Sequence, residues 1–237
     1  MLEALFLLCS KRNIFPVRFR LSYSPHLRVA ITEIRFNSSV PLWGAGMLDS
    51  RYTADKYMTL HFITGNKNKL AEMRTMLGSV EQLDIELPEI QEIDAHEVIK
   101  AKLKAATQHH TGALIVEDTS LSLDALNGLP GPLVKWFLKT IGNDGLFKIA
   151  EAFGNYGAEA KTIIGYTSGD GAIQFFEGSV RGTIVAPRGD TVFGWDPIFR
   201  PEGKDKTYAE LFDADEAEKN SISMRRLAAE KLKAHLS

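Results

Sequence analysis

Apolar residues along the chain switch between two periods, and the switches mark out the elements. Thr59 to Ile63 has the length and character of a strand. After the polar turn Thr64-Gly65-Asn66-Lys67-Asn68-Lys69, the apolar residues Leu70, Met73 and Leu77 recur at helical spacing up to Gly78. Asp84 to Leu87 reads as a second strand leading into Pro88-Glu89, and Val98, Ile99, Leu103 and Ala106 give an apolar face to a helix from Ala95 to His109. Ala113 to Val116 is the apolar run of a buried strand, with Glu117 and Asp118 directly after it. Gly128, Pro130, Gly131 and Pro132 then make a stiff connection into a helix carrying Leu133, Trp136, Phe137 and Ile141, and Gly145 to Phe153 fits another helix.

Beyond residue 153 the period shortens. Ala158 to Ser168 and Ala172 to Glu177 read as strands joined by the hairpin signal Gly169-Asp170-Gly171, and Val180 to Val185 adds a third. A closing helix follows Lys219-Asn220-Ser221-Ile222-Ser223-Met224-Arg225-Arg226, with Ser221 or Ser223 as its cap. The pattern predicts an α/β fold: a mixed, partly antiparallel central sheet flanked by helices, in two lobes with a cleft between them.

Several of these junctions carry chemistry. A carboxylate pair at a strand exit stands where open α/β sheets bind ligands. The strand, glycine turn and helix around Thr64 to Lys69 form an anion-binding arrangement, because a helix start leaves N–H groups unpaired and Lys67 and Lys69 would otherwise oppose its dipole. Its spacing matches neither a Walker A loop nor G-x-G-x-x-G. On the helix from Ala95, Lys100, Lys102 and Lys104 lie between Glu89 and Asp118 in sequence, which points to one lysine turned inward. In the loop Pro187 to Pro197, Phe193, Gly194, Trp195 and Asp196 either stack on and read a flat base or plug the core beside a turn.

Charge and composition narrow the classes. Of the 237 residues, 44% are hydrophobic and 24% charged, as in ordinary globular proteins. The net charge of −2 conceals a division: residues 1–57 hold eight Lys and Arg against four Asp and Glu, and the remainder twenty against twenty-six. An acidic body lacks the basic footprint of a nucleic-acid binder. No apolar run approaches the roughly 18 residues of a membrane span. Cys9 is the single cysteine, which excludes an internal disulfide framework and makes a reducing compartment the default. Residues 1–57, rich in Arg and Ser, carry Lys11 and Arg12 after their apolar start, the reverse of a secretory signal. They read as an N-terminal extension: a mitochondrial presequence, a flexible tail or the product of an upstream start, with residues 58–237 as the main domain. The expected compartment is cytoplasmic, or mitochondrial if the extension is a presequence.

Taken in order, Thr64-Gly65-Asn66 with Lys69, Leu87-Pro88-Glu89, Glu117-Asp118-Thr119, Gly128-Leu129-Pro130-Gly131-Pro132, Phe193-Gly194-Trp195-Asp196-Pro197 and Glu218-Lys219-Asn220 resemble the inosine triphosphate pyrophosphatase family, over residues 59 to 236. The resemblance implies hydrolysis of non-standard purine nucleoside triphosphates (ITP, dITP, XTP) to monophosphate and pyrophosphate in a nucleotide cleft. It implies that Thr64, Gly65, Asn66, Lys67, Asn68 and Lys69 form the phosphate loop and that Lys102 reaches the phosphates. Glu89 and Asp118 would hold Mg²⁺, with Mn²⁺ as substitute. Asp118 and Thr119 would contact substrate, with Lys135 near the nucleotide. Phe193, Gly194, Trp195 and Asp196 would form the base pocket, closed by Lys219, Met224 and Arg225, the last on the purine O6. Asp118, Lys69 and Lys102 are the catalytic candidates, with Glu117 an alternative base. The family commonly has Ser-His-Arg where this chain has Ser223-Met224-Arg225. A homodimer is implied as well. The rival readings are a nucleotide sensor without turnover and a septum-formation-inhibitor type of pyrophosphatase with other base preferences.

Overall fold

A computed structural model of the chain describes residues 2–10, 13–23, 29–36, 59–190 and 194–237. The chain divides into two units, Met1–Thr53 and Ala54–Ser237. In the first, strands β1 (Leu2–Ser10), β2 (Asn13–Tyr23) and β3 (Val29–Phe36) pair antiparallel in that order, a regularity that the Arg- and Ser-rich pattern does not lead one to expect.

The second unit is organised by a seven-stranded sheet of β4 (Leu60–Ile63), β5 (Val80–Leu83), β6 (Leu114–Leu123), β7 (Pro130–Gly131), β8 (Gly157–Thr167), β9 (Gln174–Ile184) and β10 (Phe199–Pro201). The spatial order is β10-β9-β8-β6-β4-β5, with β7 beside β6. Strand β4 runs parallel to β5 and β6, whereas β6, β8, β9 and β10 are antiparallel. Around the sheet lie α1 (Lys67–Leu77), α2 (Ala95–Ala106), α3 (Val134–Thr140), α4 (Gly142–Phe153), α5 (Tyr208–Ala214), α6 (Glu216–Ser221) and α7 (Met224–Leu236). The mixed, partly antiparallel α/β sheet is the one the periodicity predicts.

Four features differ from the sequence reading. The second strand is Val80–Leu83, not 84–87, because its parallel register with β4 begins at Leu60↔Val80. Ile85 and Leu87 give the later segment its apolar character by packing against the core as irregular chain. The segments 172–177 and 180–185 are one strand, β9, paired along its length with β8. Helices α5 and α6 are additional to the elements that the periodicity predicts. Finally, Glu117 and Asp118 lie inside β6, not after it. The parallel pairing with β4 stops at Phe62↔Ile115, while the antiparallel pairing with β8 runs on to Leu123. The carboxylates therefore do sit at a strand exit, but the strand that ends is β4.

Two apolar layers sandwich the sheet. Leu114 and Val116 of β6 pack with Ile99 and Leu103 of α2, and Ile115 packs with Leu70 and Met73 of α1 and Ala228 and Leu232 of α7. Successive side chains of a strand alternate between faces. Two glycines bring the helices down onto the backbone. A Cβ at Gly165 of β8 would lie 2.2 Å from Ile99 Cγ2 of α2, and one at Gly178 of β9 would lie 2.0 Å from the Met224 carbonyl oxygen at the start of α7. Any larger residue would force either helix away. A third cluster, around Trp195, Phe199, Tyr208, Leu211 and Met224, fills the β10 end of the sheet.

Candidate active site

The alternation that buries Ile115 and Val116 on opposite faces does the same to the two carboxylates. Glu117 points to the α1 and α7 side. There it accepts Arg225 Nε at 2.8 Å and Nη2 at 3.0 Å, and it pairs with Lys69 Nζ at 2.9 Å and with the Thr119 hydroxyl at 3.0 Å. Arg225 Nη1 donates in turn to Glu72 of α1, at 2.5 Å. Burial by itself would push the Glu117 carboxyl up, but the Arg225 and Lys69 charges and their hydrogen bonds hold it far below the usual carboxylate range. Asp118 points to the α2 side, where Lys102 Nζ lies 3.1 Å from its Oδ1. Its Oδ2 is buried with no hydrogen-bond partner among the described residues. Here burial prevails over Lys102, and the Asp118 carboxyl is raised.

Both groups open onto a cleft of two adjoining cavities, about 380 and 1120 Å³, that share Lys69, Glu89, Lys102, Glu117 and Lys135. The larger adds Thr64, Gly65 and Asn66; the smaller adds Asp118, Thr119, Leu133, Trp136, Gly194 and Trp195. At the rim Lys135 Nζ lies 2.5 Å from Glu89 Oε2, and this hydrogen bond lowers the Glu89 carboxyl. The indole N–H of Trp136 donates to Gln91. Asn66 caps α1, its side chain accepting from the N–H of Asn68 at 3.0 Å and of Lys69 at 3.2 Å. Those N–H groups are therefore engaged within the loop, and Lys67 and Asn68 are exposed and do not line the cleft. Gln82 of β5 donates to the Thr64 carbonyl at 2.7 Å and fixes the loop from below, a positioning contact that a lone glutamine in the sequence does not announce.

The expected base-pocket residues divide. Phe193 lies outside the described residues. Gly194 and Trp195 reach the cleft, yet Trp195 is also a core residue, 1% exposed and edge-on to Phe199. Met224 is buried in the same cluster, so a thioether fills core volume at the point where the family pattern has a ring. Arg225, expected on a purine O6, has its guanidinium committed to Glu117 and Glu72 and does not line the cavities. Asp196 and Lys219 form a buried pair at 3.3 Å. Asp196 Oδ1 has no partner among the described residues, and burial, against Lys219, pushes its carboxyl up to about 6. Lys219 lies over the Tyr208 ring, 5.6 Å from its centroid.

For a divalent cation, the donors present are hard oxygens: Glu89 on the rim and the unpartnered Asp118 Oδ2 on the wall. Among the described residues no group of three or more His, Cys, Asp or Glu is arranged to hold a metal. That set fits Mg²⁺, which takes one or two carboxylates and completes its shell with water and substrate phosphate.

Residues 60–235 match the model of the Ham1 family. The inosine triphosphate pyrophosphatase of Schizosaccharomyces pombe is 48% identical over 176 residues, covering 73% of this chain and 92% of that protein. Among solved structures, a HAM1 protein from Coxiella burnetii matches with a TM-score of 0.67 at 27% identity, over 76% of this chain and 98% of its own. A nucleoside-triphosphatase, or dITP/XTP pyrophosphatase, from Mycobacterium abscessus matches with a TM-score of 0.56 at 26% identity, over 70% of this chain and 97% of its own.

Proposed function

The chain belongs to the Ham1 family, and we propose that it hydrolyses ITP, and with it dITP and XTP, to the monophosphate and pyrophosphate. The observation that carries this reading is the wall of the cleft: Lys69, Lys102 and Lys135 stand among Glu89, Glu117 and Asp118 around one opening. Three lysines offer charged donors to the oxygens of a triphosphate, and two oxygen donors match the cation that accompanies it.

In this mechanism the phosphates lie against Thr64 to Asn66, with Lys69 and Lys102 compensating the charge that develops in the transition state. Glu89 and Asp118 would hold Mg²⁺, or Mn²⁺ in its place, which when bound supplies further charge neutralisation at the phosphates. A water attacks the α-phosphorus, the bond from that phosphorus to the bridging oxygen breaks, and pyrophosphate leaves. Asp118 takes the proton. Glu117 is unsuited to that task, since both its oxygens are engaged and its proton affinity is depressed, which leaves Asp118 as the carboxylate to receive the proton.

Base selection falls to the Asp196–Lys219 pair, which, like Arg225, is buried and does not line the cavities, on the reading that it is uncovered when a base enters beside Gly194 and Trp195. Hypoxanthine and xanthine present a 6-oxo acceptor beside an N1–H donor, and an ammonium beside a carboxylate is their complement; adenine presents the reverse. Arg225 acts indirectly by fixing Glu117. Homodimerisation, from the family resemblance, and a cytoplasmic site of action, or a mitochondrial one if residues 1–57 act as a presequence, complete the reading.

The test is a product assay with Mg²⁺ on ITP, XTP, dITP, GTP and ATP, separating monophosphate plus pyrophosphate from diphosphate plus phosphate. Pyrophosphate chiefly from ITP, XTP and dITP is the expected result. Tight binding without turnover would favour a sensor, and turnover of mainly ATP, whose base reverses this edge, would refute the assignment of the Asp196–Lys219 pair.

A further inference from the structure

Each carboxylate assigned to the cation also carries a lysine assigned to the phosphates: Glu89 with Lys135 at 2.5 Å and Asp118 with Lys102 at 3.1 Å. An ammonium and a divalent cation on one carboxylate repel each other, so each pairing opposes cation binding: Lys135 on Glu89 Oε2, and Lys102 on Asp118 Oδ1, beside the Oδ2 assigned to the cation. The two pairs differ in how easily they part. Lys102 and Asp118 have side chains 14% and 15% exposed, whereas Lys135 and Glu89 are 63% and 55% exposed, and exposed pairs contribute little. The partner segments stay together when the ion pair opens, because Trp136 also donates to Gln91, one residue beyond Lys135 on α3 and two beyond Glu89 on the loop.

Resting on the reading above, we propose that Lys135 couples cation binding to nucleotide binding by ion-pair exchange. It neutralises Glu89 until a divalent cation takes that carboxylate, and then transfers its charge to the nucleotide's phosphates. The coupling is reciprocal, so a phosphate that draws Lys135 away also frees Glu89 for the cation. Lys135 is placed for this, lining both cavities together with Glu89.

The exchange predicts effects of opposite sign from one substitution. In Lys135→Gln, the full chain should bind Mn²⁺ alone, followed by electron paramagnetic resonance of the free ion, about fivefold more tightly than the parent, the most that an exposed pair withholds. The same variant should bind ITP in EDTA more weakly, and Lys135→Arg should restore both values. A lysine that only contacts phosphate would weaken ITP binding and leave Mn²⁺ unchanged, and a surface pair without function would change neither; either result overturns the exchange, as does absence of measurable Mn²⁺ binding to the variant. Glu89→Gln separates the two levels. Loss of Mn²⁺ affinity in that variant, with none gained in Lys135→Gln, sinks only the exchange, whereas unchanged Mn²⁺ affinity in Glu89→Gln sinks the cation assignment and the exchange with it.

Discussion

Glu117 and Asp196 are both buried acids facing a cation, and their proton affinities move in opposite directions. Their side chains are 1% and 3% exposed, so burial disfavours the charged form in each. Glu117 receives two guanidinium N–H groups, a lysine and a hydroxyl, and is held as an anion. Asp196 has one lysine at 3.3 Å and an oxygen with no partner among the described residues, and its carboxyl rises to about 6. The number of donors decides the sign, not the depth. Asp118 lies between them, with one lysine and one oxygen that has no partner among the described residues. A fully satisfied acid serves structure; one left short is available to a proton, a cation or a substrate.

The sharpest way to break this comparison is to change the two neighbours on β6 separately. Asp118→Asn should lower kcat by about 10²- to 10⁴-fold, the usual contribution of a positioned base, with Tm unchanged within a few degrees. An active Asp118→Asn enzyme would remove Asp118 from the role. Arg225→Met should do the opposite. It leaves Glu117 buried with Lys69 as its remaining cation, and denaturant unfolding should show a loss of about 3–5 kcal/mol. A stable variant would mean that Lys69 and Thr119 suffice.

Asp196 provides a pH test. Its folded-state carboxyl is raised from an ordinary 3.8 to about 6, so the fold binds this proton more tightly than the unfolded chain does. The associated stability is fully present below pH 4 and is lost as pH rises through 6, to the extent of roughly 3 kcal/mol. Glu117 contributes with the opposite sign, its stability being present above the ordinary carboxylate range and lost as pH falls. In Asp196→Asn the first slope should vanish, so the parent should lose stability relative to the variant between pH 4 and 7. An unchanged difference across that range would contradict the raised carboxyl. The same variant should lose about 10- to 100-fold of its preference for ITP over ATP in kcat/KM. The smallest effect is at the start of α7, where Ser223 Oγ accepts from the Arg226 N–H at 3.2 Å. Ser223→Ala should cost about 1 kcal/mol of a cap and little activity, unless Arg225 loses its alignment on Glu117, which a fall in kcat would reveal.

The sequence was informative wherever a signal is local. The periodicities located α1, α2, α4, α7 and the hairpin of β8 and β9, and the ordered motifs pointed to the cleft that Thr64, Lys69, Glu89, Lys102, Asp118 and Lys135 line. Lys102 stands out from three lysines because the resemblance adds a spacing to the helical pattern. The misreadings are also local signals, taken out of context. Ile85 and Leu87 look like a strand because irregular chain packed on a core needs apolar residues too. Val180 to Val185 looks like a new strand because a short window does not show that β8 is long enough to pair with all of β9.

The chain by itself determined that two carboxylates are adjacent, that cations gather at two helix starts, and which residues are apolar enough to bury. Tertiary structure decided what each charge meets. Alternation along β6 sends Glu117 and Asp118 to opposite faces, but which face holds Arg225 and which Lys102 depends on helices 108 residues further on and 16 residues back. Gly165 and Gly178 admit those helices to the sheet. An arginine readable as a base contact thus becomes the clamp on a buried glutamate, and the aspartate beside it is left with an oxygen to use. Composition lists the charges, but the energy of a buried charge depends on the donors within about 3 Å of it, and long-range packing alone assembles those.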